Sequence, residues 1–260
     1  MQLFSIKLPI IRKNDPLLDI IIENLKKDGE KLNEKDIIVI SGKVIATSQG
    51  RIVALSDIKE TSDEAKELAK KYDMDERFVE LILDEASMII GGMTHVILAK
   101  VNDFLIANAG IDQSNAGLNN VVFLPKNMKE VALNYRKKLK EEFDIEQLGL
   151  IIADSRVQPL RKGTIGIAVA TAGFEPVEDI RGHPDLFGRP LQITMRAVAD
   201  DLTSAAQFLL NEADQQTPIV IIRGADIKFT ENPKTTTEMP AEECLYMNLF
   251  SQYLLQHKKK

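Results

Sequence analysis

Four short apolar runs, at residues 36–40, 148–153, 166–172 and 219–222, constrain the fold of this chain more than any other feature. Bounded by turn residues and rich in Ile, Val and Leu, they read as strands, those at 36–40 and 219–222 as buried ones. Amphipathic helices lie between them. Asp15-Pro16 opens one, with Pro at a first-turn position and Leu17, Leu18, Ile21, Ile22 and Leu25 at helical spacing. Others are expected over 62–72, with Ser62 as N-cap, over 75–87, with Phe78, Leu81, Ile82 and Leu83 inward, and over 127–142. A long helix over 197–212 should bury Val198, Leu202, Ala205, Ala206 and Leu209. Further strands are predicted over 3–8, 44–47, 94–100 and 104–108, and in the alternating Leu191-Gln192-Ile193-Thr194. The strand at 148–153 should stop at Asp154. Strand pairs and helices without regular βαβ alternation predict an α+β fold of mixed sheets with packed helices. No internal repeat or low-complexity tract divides the chain. Residues 1–250 are expected to form one domain, with 251–260 as a C-terminal tail.

Charge and cysteine usage narrow the function. The net charge of −6 and the lack of a basic patch beyond Lys258, Lys259 and Lys260 argue against nucleic-acid binding. A lone cysteine, Cys244, allows no internal disulfide and fits a reducing cytoplasm. The N-terminal stretch lacks the features of a secretory signal, and no apolar run approaches membrane-spanning length. A soluble, cytoplasmic protein is therefore expected.

Three polar clusters lie at the ends of predicted elements. Asn108-Ala-Gly-Ile-Asp-Gln-Ser-Asn115 follows an apolar strand directly and carries Asp112, Gln113, Ser114 and Asn115 on a platform suited to ligating groups; its alternative is a hydrogen-bonded turn. Asp154-Ser155-Arg156, with Arg161-Lys162-Gly163 behind it, sets a carboxylate beside a hydroxyl, the oxygen-rich pairing that Mg²⁺ or Mn²⁺ uses. Its arginines could neutralise phosphates, the alternative being an N-cap or Asx-turn with a surface charge run. Asn211-Glu212-Ala-Asp-Gln-Gln216 places acids at a helix C-terminus, where a metal or basic partner would offset the dipole, unless the segment is a solvated loop. No P-loop and no G-x-S-x-G elbow is present, and His95 and His257 have no partner at metal-ligand spacing; His183, in a loop beside Pro184, could serve as a general acid or base, its alternative being a structural or exposed histidine.

Taken together, these stretches resemble the coenzyme F-420 gamma-glutamyl ligase family. The segments that carry the resemblance are Leu8-Pro9-Ile10-Ile11, residues 36–51, Asn108–Asn115, Asp154-Ser155 with Arg161-Lys162-Gly163, Asp185–Arg189, Ala197–Asp200 and Pro218–Gly224, in the family's order. The resemblance implies GTP-dependent amide synthesis, in which a substrate carboxylate is phosphorylated and the amine of L-glutamate attacks the acyl phosphate. It implies two divalent ions, Mg²⁺ or Mn²⁺, with Asp112 and Asp154 as the main ligands, Ser155 on the second ion and Gln192 as a further ligand. Asp112, Asp154 and Arg161 would form the catalytic set. Leu8, Pro9, Ile10, Ile11, Gly42, Lys43, Asn115, Leu210, Asn211 and Glu212 would contact the nucleotide. Homodimerisation is a trait of the family.

The chain departs from the family pattern twice. A lysine often precedes the E-G-R step; here that position is Thr47, ahead of Gln49-Gly50-Arg51, with Lys43 a candidate to supply the charge. Where the family often reads D-T-x-G-R, this chain reads Asp154-Ser-Arg-Val-Gln-Pro-Leu-Arg161. Both changes point to a paralogue. Three readings follow: a ligase acting on the deazaflavin coenzyme or on folate by one mechanism, a non-catalytic nucleotide-binding relative, and a deazaflavin-binding protein without ligase chemistry.

Overall fold

The structure, a computed structural model, describes residues 1–27, 31–211 and 214–250. The chain divides into two compact units, one of Met1–Arg51 with Pro125–Thr237, the other of Ile52–Leu124 with the chain from Glu238 onward. In the first unit the chain lays down β1 (Gln2–Ile6), α1 (Leu17–Lys27), β2 (Asp36–Ser41) and α2 (Gly42–Ser48). The second unit is then inserted: β3 (Ile52–Ala54), α3 (Asp63–Tyr72), α4 (Glu76–Glu85), β4 (Met88–Met93), β5 (Val96–Val101), β6 (Phe104–Ala107) and β7 (Asn120–Val122). The chain returns with α5 (Met128–Phe143), β8 (Leu148–Val157), β9 (Thr164–Ala172), β10 (Glu178–Asp179), β11 (Met195–Arg196), α6 (Val198–Leu210) and β12 (Ile219–Arg223). The mixture of separate sheets and helices is the expected α+β class.

The four apolar runs all enter one five-stranded sheet, ordered β1-β12-β2-β8-β9. Only β2 and β8 run parallel; the other neighbours are antiparallel. Helix α6 covers one face, where Ile37, Val39, Ile151, Ala153, Val220 and Ile222 join Val198, Leu202 and Ala206 in a buried cluster. Ile38, Ile40, Leu150 and Ile152 alternate to the opposite face and are buried as well. Burial on both faces is why these strands read as unbroken apolar runs. Each such side chain is worth roughly 1.5–3 kcal/mol relative to exposure.

The second unit holds a β4-β5-β6 sheet and a β3-β7 pair. Its core gathers Tyr72, Phe78, Val79, Ile82, Ile97, Ile106, Val121 and Phe123. Ser62 caps α3 as expected, its hydroxyl accepting from the Ala65 amide at 3.1 Å, and Asp75 caps α4 through the Arg77 amide at 2.9 Å.

Four local expectations are corrected. Residues 44–47 are helical, part of α2, because Ile45 and Ala46 turn inward and are buried beside the sheet. Strand β8 does not stop at Asp154 but runs on to Val157, its polar end paired with β9, so Asp154 is neither an N-cap nor an Asx-turn residue. Residues 191–194 form no strand; Ile193 is 88% exposed, and alternation without a sheet to cover it specifies nothing. The loop expected over 109–120 ends in a short strand, β7, paired with β3. Where the sequence reading has one domain over 1–250, the described residues group in two units; the tail at 251–260 lies outside the described residues. No helix among the described residues is long and apolar enough to cross a membrane.

Candidate active site

Strand pairing decides which sequence-predicted residues meet. Ile6 of β1 lies opposite Ile219 of β12, which lies opposite Ile40 of β2, and Ser41 pairs with Ala153 of β8. One end of the sheet therefore collects the segments that follow β1 and β2, the segment preceding β12, and the point on β8 just before Asp154. Backbone bonds fasten that end: Leu8 N donates to Gln216 O at 3.1 Å and Ser41 N donates to Pro218 O at 2.8 Å. The Thr217 hydroxyl donates to Leu209 O at 2.7 Å, tying the close of α6 to the same place.

Four of the expected segments thus lie at one sheet end: Leu8–Ile11, Gly42-Lys43, Asp154-Ser155 and Leu210-Asn211. Leu8 and Ile11 are buried and anchor their turn, while Pro9 and Ile10 are exposed. Gly42 is buried, and a Cβ there would come within 3.1 Å of Ala153 O. Only glycine lets α2 begin so close to β8 without displacing it. Leu210 is buried, and Asn211 closes α6 by donating its amide to Gln207 O at 3.1 Å. Glu212 lies outside the described residues. Because residues 42–48 form a helix, Lys43 and Thr47 stand one turn apart on the same face, about 6 Å along its axis. A lysine at either position projects from that face.

Asp154 and Ser155 are half-buried on the outer stretch of β8, opposite Ile167 and Gly166. Neighbouring strand residues project from opposite faces, so the two side chains address different sides. Arg161 is exposed in the turn between β8 and β9, its amide donating to Gln158 O at 3.2 Å. Gln192 lies in an exposed bend of the segment linking β10 to β11 and donates to Pro190 O at 3.0 Å; the alternating strand expected to carry it is absent.

Asp112 and Asn115 belong to the second unit. Asn108, Ala109 and Gly110 all take positive φ, of 51°, 53° and 72°. The Asn108 side-chain oxygen accepts from Ile97 N at 2.9 Å and fixes the start of this turn on β5. Ala109 is buried in a conformation that non-glycine residues seldom adopt, a strain held by its surroundings. The backbone of Asp112 exchanges hydrogen bonds with Val122 at 2.9 and 2.8 Å. Its carboxylate accepts from the Ser114 amide and hydroxyl, both at 2.7 Å. The hydrogen-bonded turn that composition alone suggests is therefore present, and it fixes the direction of the carboxylate.

One group escaped sequence reasoning. Asp200, in the first turn of α6, is half-buried; burial pushes its carboxyl up, against the Ala168 amide it accepts from at 2.9 Å and the charge of Arg156. The only sequence signal for it is the stretch Ala197–Asp200, which carries the family resemblance but gives Asp200 no role of its own. Asp36 is also buried, but its bidentate pair with Arg223, at 2.8–3.0 Å, lies at the other end of the sheet and serves the fold.

Among the described residues, no group of three or more His, Cys, Asp or Glu side chains is arranged to hold a metal ion. Asp154 and Ser155 in the first unit, and Asp112 in the second, each carry hard oxygens. They fit a cation such as Mg²⁺ or Mn²⁺, which takes few protein ligands and completes its shell with water and phosphate oxygens.

Residues 5–224 match the family described as F420-0:gamma-glutamyl ligase, a stretch that contains every candidate residue above. The chain belongs to the F420-0:gamma-glutamyl ligase family. Relatives agree across nearly their whole length. The coenzyme F420:L-glutamate ligase of Methanocaldococcus jannaschii is 37% identical over 251 residues, 95% of this chain and 97% of the relative. Those of Methanothermobacter thermautotrophicus and Methanopyrus kandleri are 38% and 37% identical, over 84% and 86% of this chain and 86% and 87% of the relatives. The family is one of ligases, so the expectation of an enzyme of that class holds.

Proposed function

We propose that this chain joins L-glutamate to the carboxylate of a deazaflavin coenzyme of the F420 type, driven by GTP and supported by two divalent cations. The observation that carries the reading is the gathering of Leu8–Ile11, Gly42-Lys43, Asp154-Ser155 and Leu210-Asn211 at one end of the five-stranded sheet, within a chain that matches the family over residues 5–224. Leu8–Ile11, Gly42, Lys43, Asn115, Leu210 and Asn211 hold the nucleotide. Lys43 meets a phosphate in place of the lysine that the family carries one helical turn later. Asp112 and Asp154 hold the cations, with Ser155 on the second, and Arg161 neutralises phosphate charge.

Phosphoryl transfer asks a protein mainly for positioning and charge neutralisation. Cations held by Asp112, Asp154 and Ser155 would supply that charge neutralisation. A carboxylate oxygen of the acceptor attacks the γ-phosphorus and GDP leaves. The glutamate amine, having lost one ammonium proton, then attacks the acyl carbon; inorganic phosphate departs with the electron pair of the C–O bond, and the nitrogen gives up a second proton to solvent or phosphate to leave the neutral amide. Asp154 and Ser155, fixed by strand pairing rather than on a free loop, suit a task in which misplacement is costly.

The test is the purified chain with GTP or ATP, Mn²⁺ or Mg²⁺, L-glutamate, and either a deazaflavin or a folate acceptor, followed by mass spectrometry. A deazaflavin product one glutamyl residue heavier is expected, with Asp112→Ala and Asp154→Ala each reducing its rate at least about 100-fold. Product with folate alone would reassign the acceptor. GTP and metal binding without product from either would leave the non-catalytic reading.

A further inference from the structure

Strands β8 and β9 pair in step from Leu150–Ala172 to Ile152–Ala170, and then the register shifts: Ala153 lies opposite Ala168, and Val169 is left over. A bulge of this kind bends its strand, sharpens the twist, and re-aims the side chains that follow. The extra residue is on β9, and the residues of β8 that lie just past the shift, supported by the bent strand, are Asp154 and Ser155. We propose that Asp200 is a positioning residue that latches this bulge, and so sets the direction in which Asp154 and Ser155 meet a divalent cation; the inference rests on the metal-site reading above.

The latch is visible as a hydrogen bond from the Ala168 amide to Oδ1 of Asp200 at 2.9 Å, on the bulged strand at the shift itself. An acidic residue in the first turn of a helix ordinarily serves the helix, by favouring its dipole. This one reaches instead to a neighbouring strand. Its helix is held at the required height: Gly166 leaves no room for a side chain, since a Cβ would lie 2.6 Å from Thr203 O, and the Ser204 hydroxyl donates to Gly166 O at 2.8 Å. Arg156, two residues beyond Asp154, favours the ionised form of Asp200 against its burial. A charged acceptor makes the bond to Ala168 stronger than a neutral one would. Without it, the outer half of β9 is free to slip by one residue, which exchanges its faces and alters the strand that supports Asp154.

The experiment is calorimetric titration of Mn²⁺ into the full chain with GTP present, beside a thermal melt of each variant. Asp200→Ala and Asp200→Glu, the second keeping the charge but moving the acceptor, are expected to weaken Mn²⁺ binding by about 10–100-fold. Asp200→Asn keeps an oxygen at the same reach and is expected to restore most of the affinity. Ser204→Ala, which loosens α6 without touching the bulge, should bind Mn²⁺ like the wild type. Wild-type affinity in Asp200→Ala overturns the proposal, and so does wild-type affinity in Asp200→Glu should the alanine variant fail to fold. Equal loss in Ser204→Ala overturns it as well, because general docking of the helix would then be responsible. If Asp154→Ala loses Mn²⁺ while the Asp200 variants do not, the latch alone is wrong. If Asp154→Ala binds Mn²⁺ normally, the metal-site reading falls and takes the latch with it.

Discussion

Arg136 and Glu231 show how a single charge becomes a support for the sheet. The guanidinium is buried, donates to Leu148 O at 2.6 Å at the start of β8, and makes two further bonds of 2.6 Å to Glu231. Hydrogen bonding from Arg136 holds the Glu231 carboxyl down, from about 4.5 to about 2. A depressed carboxyl contributes stability that is whole above its unfolded value and is lost as pH falls through its folded one. Glu231→Gln should therefore lower the melting temperature at pH 7, and its difference from the wild type should close between about pH 4.5 and 2. A difference that persists at pH 2 contradicts this account. Neither residue could be paired from the sequence, because 95 positions separate them. Asp112 and Asp154 were legible for the opposite reason: each sits in a short run of oxygen-bearing residues beside an apolar strand. The resemblance implies Gln192 as a ligand on an alternating strand, and the structure gives that alternation no sheet.

At the scale of elements, the strands buried on both faces were plain in the sequence and α2 was not. Val44, Ile45 and Thr47 are β-branched and favour strands, but tertiary packing of Ile45 and Ala46 outweighs a local preference worth only tenths of a kcal/mol per residue. Polar residues at 154–156 looked like the end of a strand, because nothing local announces that a hairpin partner continues to pair beyond the apolar stretch. The contact between β9 and α6 offers a direct check on that pairing. Gly166→Val would press a side chain on the Thr203 backbone 2.6 Å away. Overpacking of this kind should cost about 1–3 kcal/mol, read as a lower urea midpoint with unchanged slope. An unchanged midpoint would mean that α6 does not sit so tightly on β9.

On the scale of the whole molecule, the boundaries of the inserted unit were invisible. They fall next to Ile52-Val53-Ala54 and Val121–Leu124, apolar residues that form strands and core, instead of the polar linkers that usually mark a division. The chemistry itself is tested most directly by an acceptor labelled with ¹⁸O in its carboxylate, incubated with the chain, GTP, Mn²⁺ and L-glutamate. Attack of that carboxylate on the γ-phosphorus predicts label in the inorganic phosphate released with the amide product. Amide product accompanied by unlabelled phosphate would contradict an acyl phosphate route.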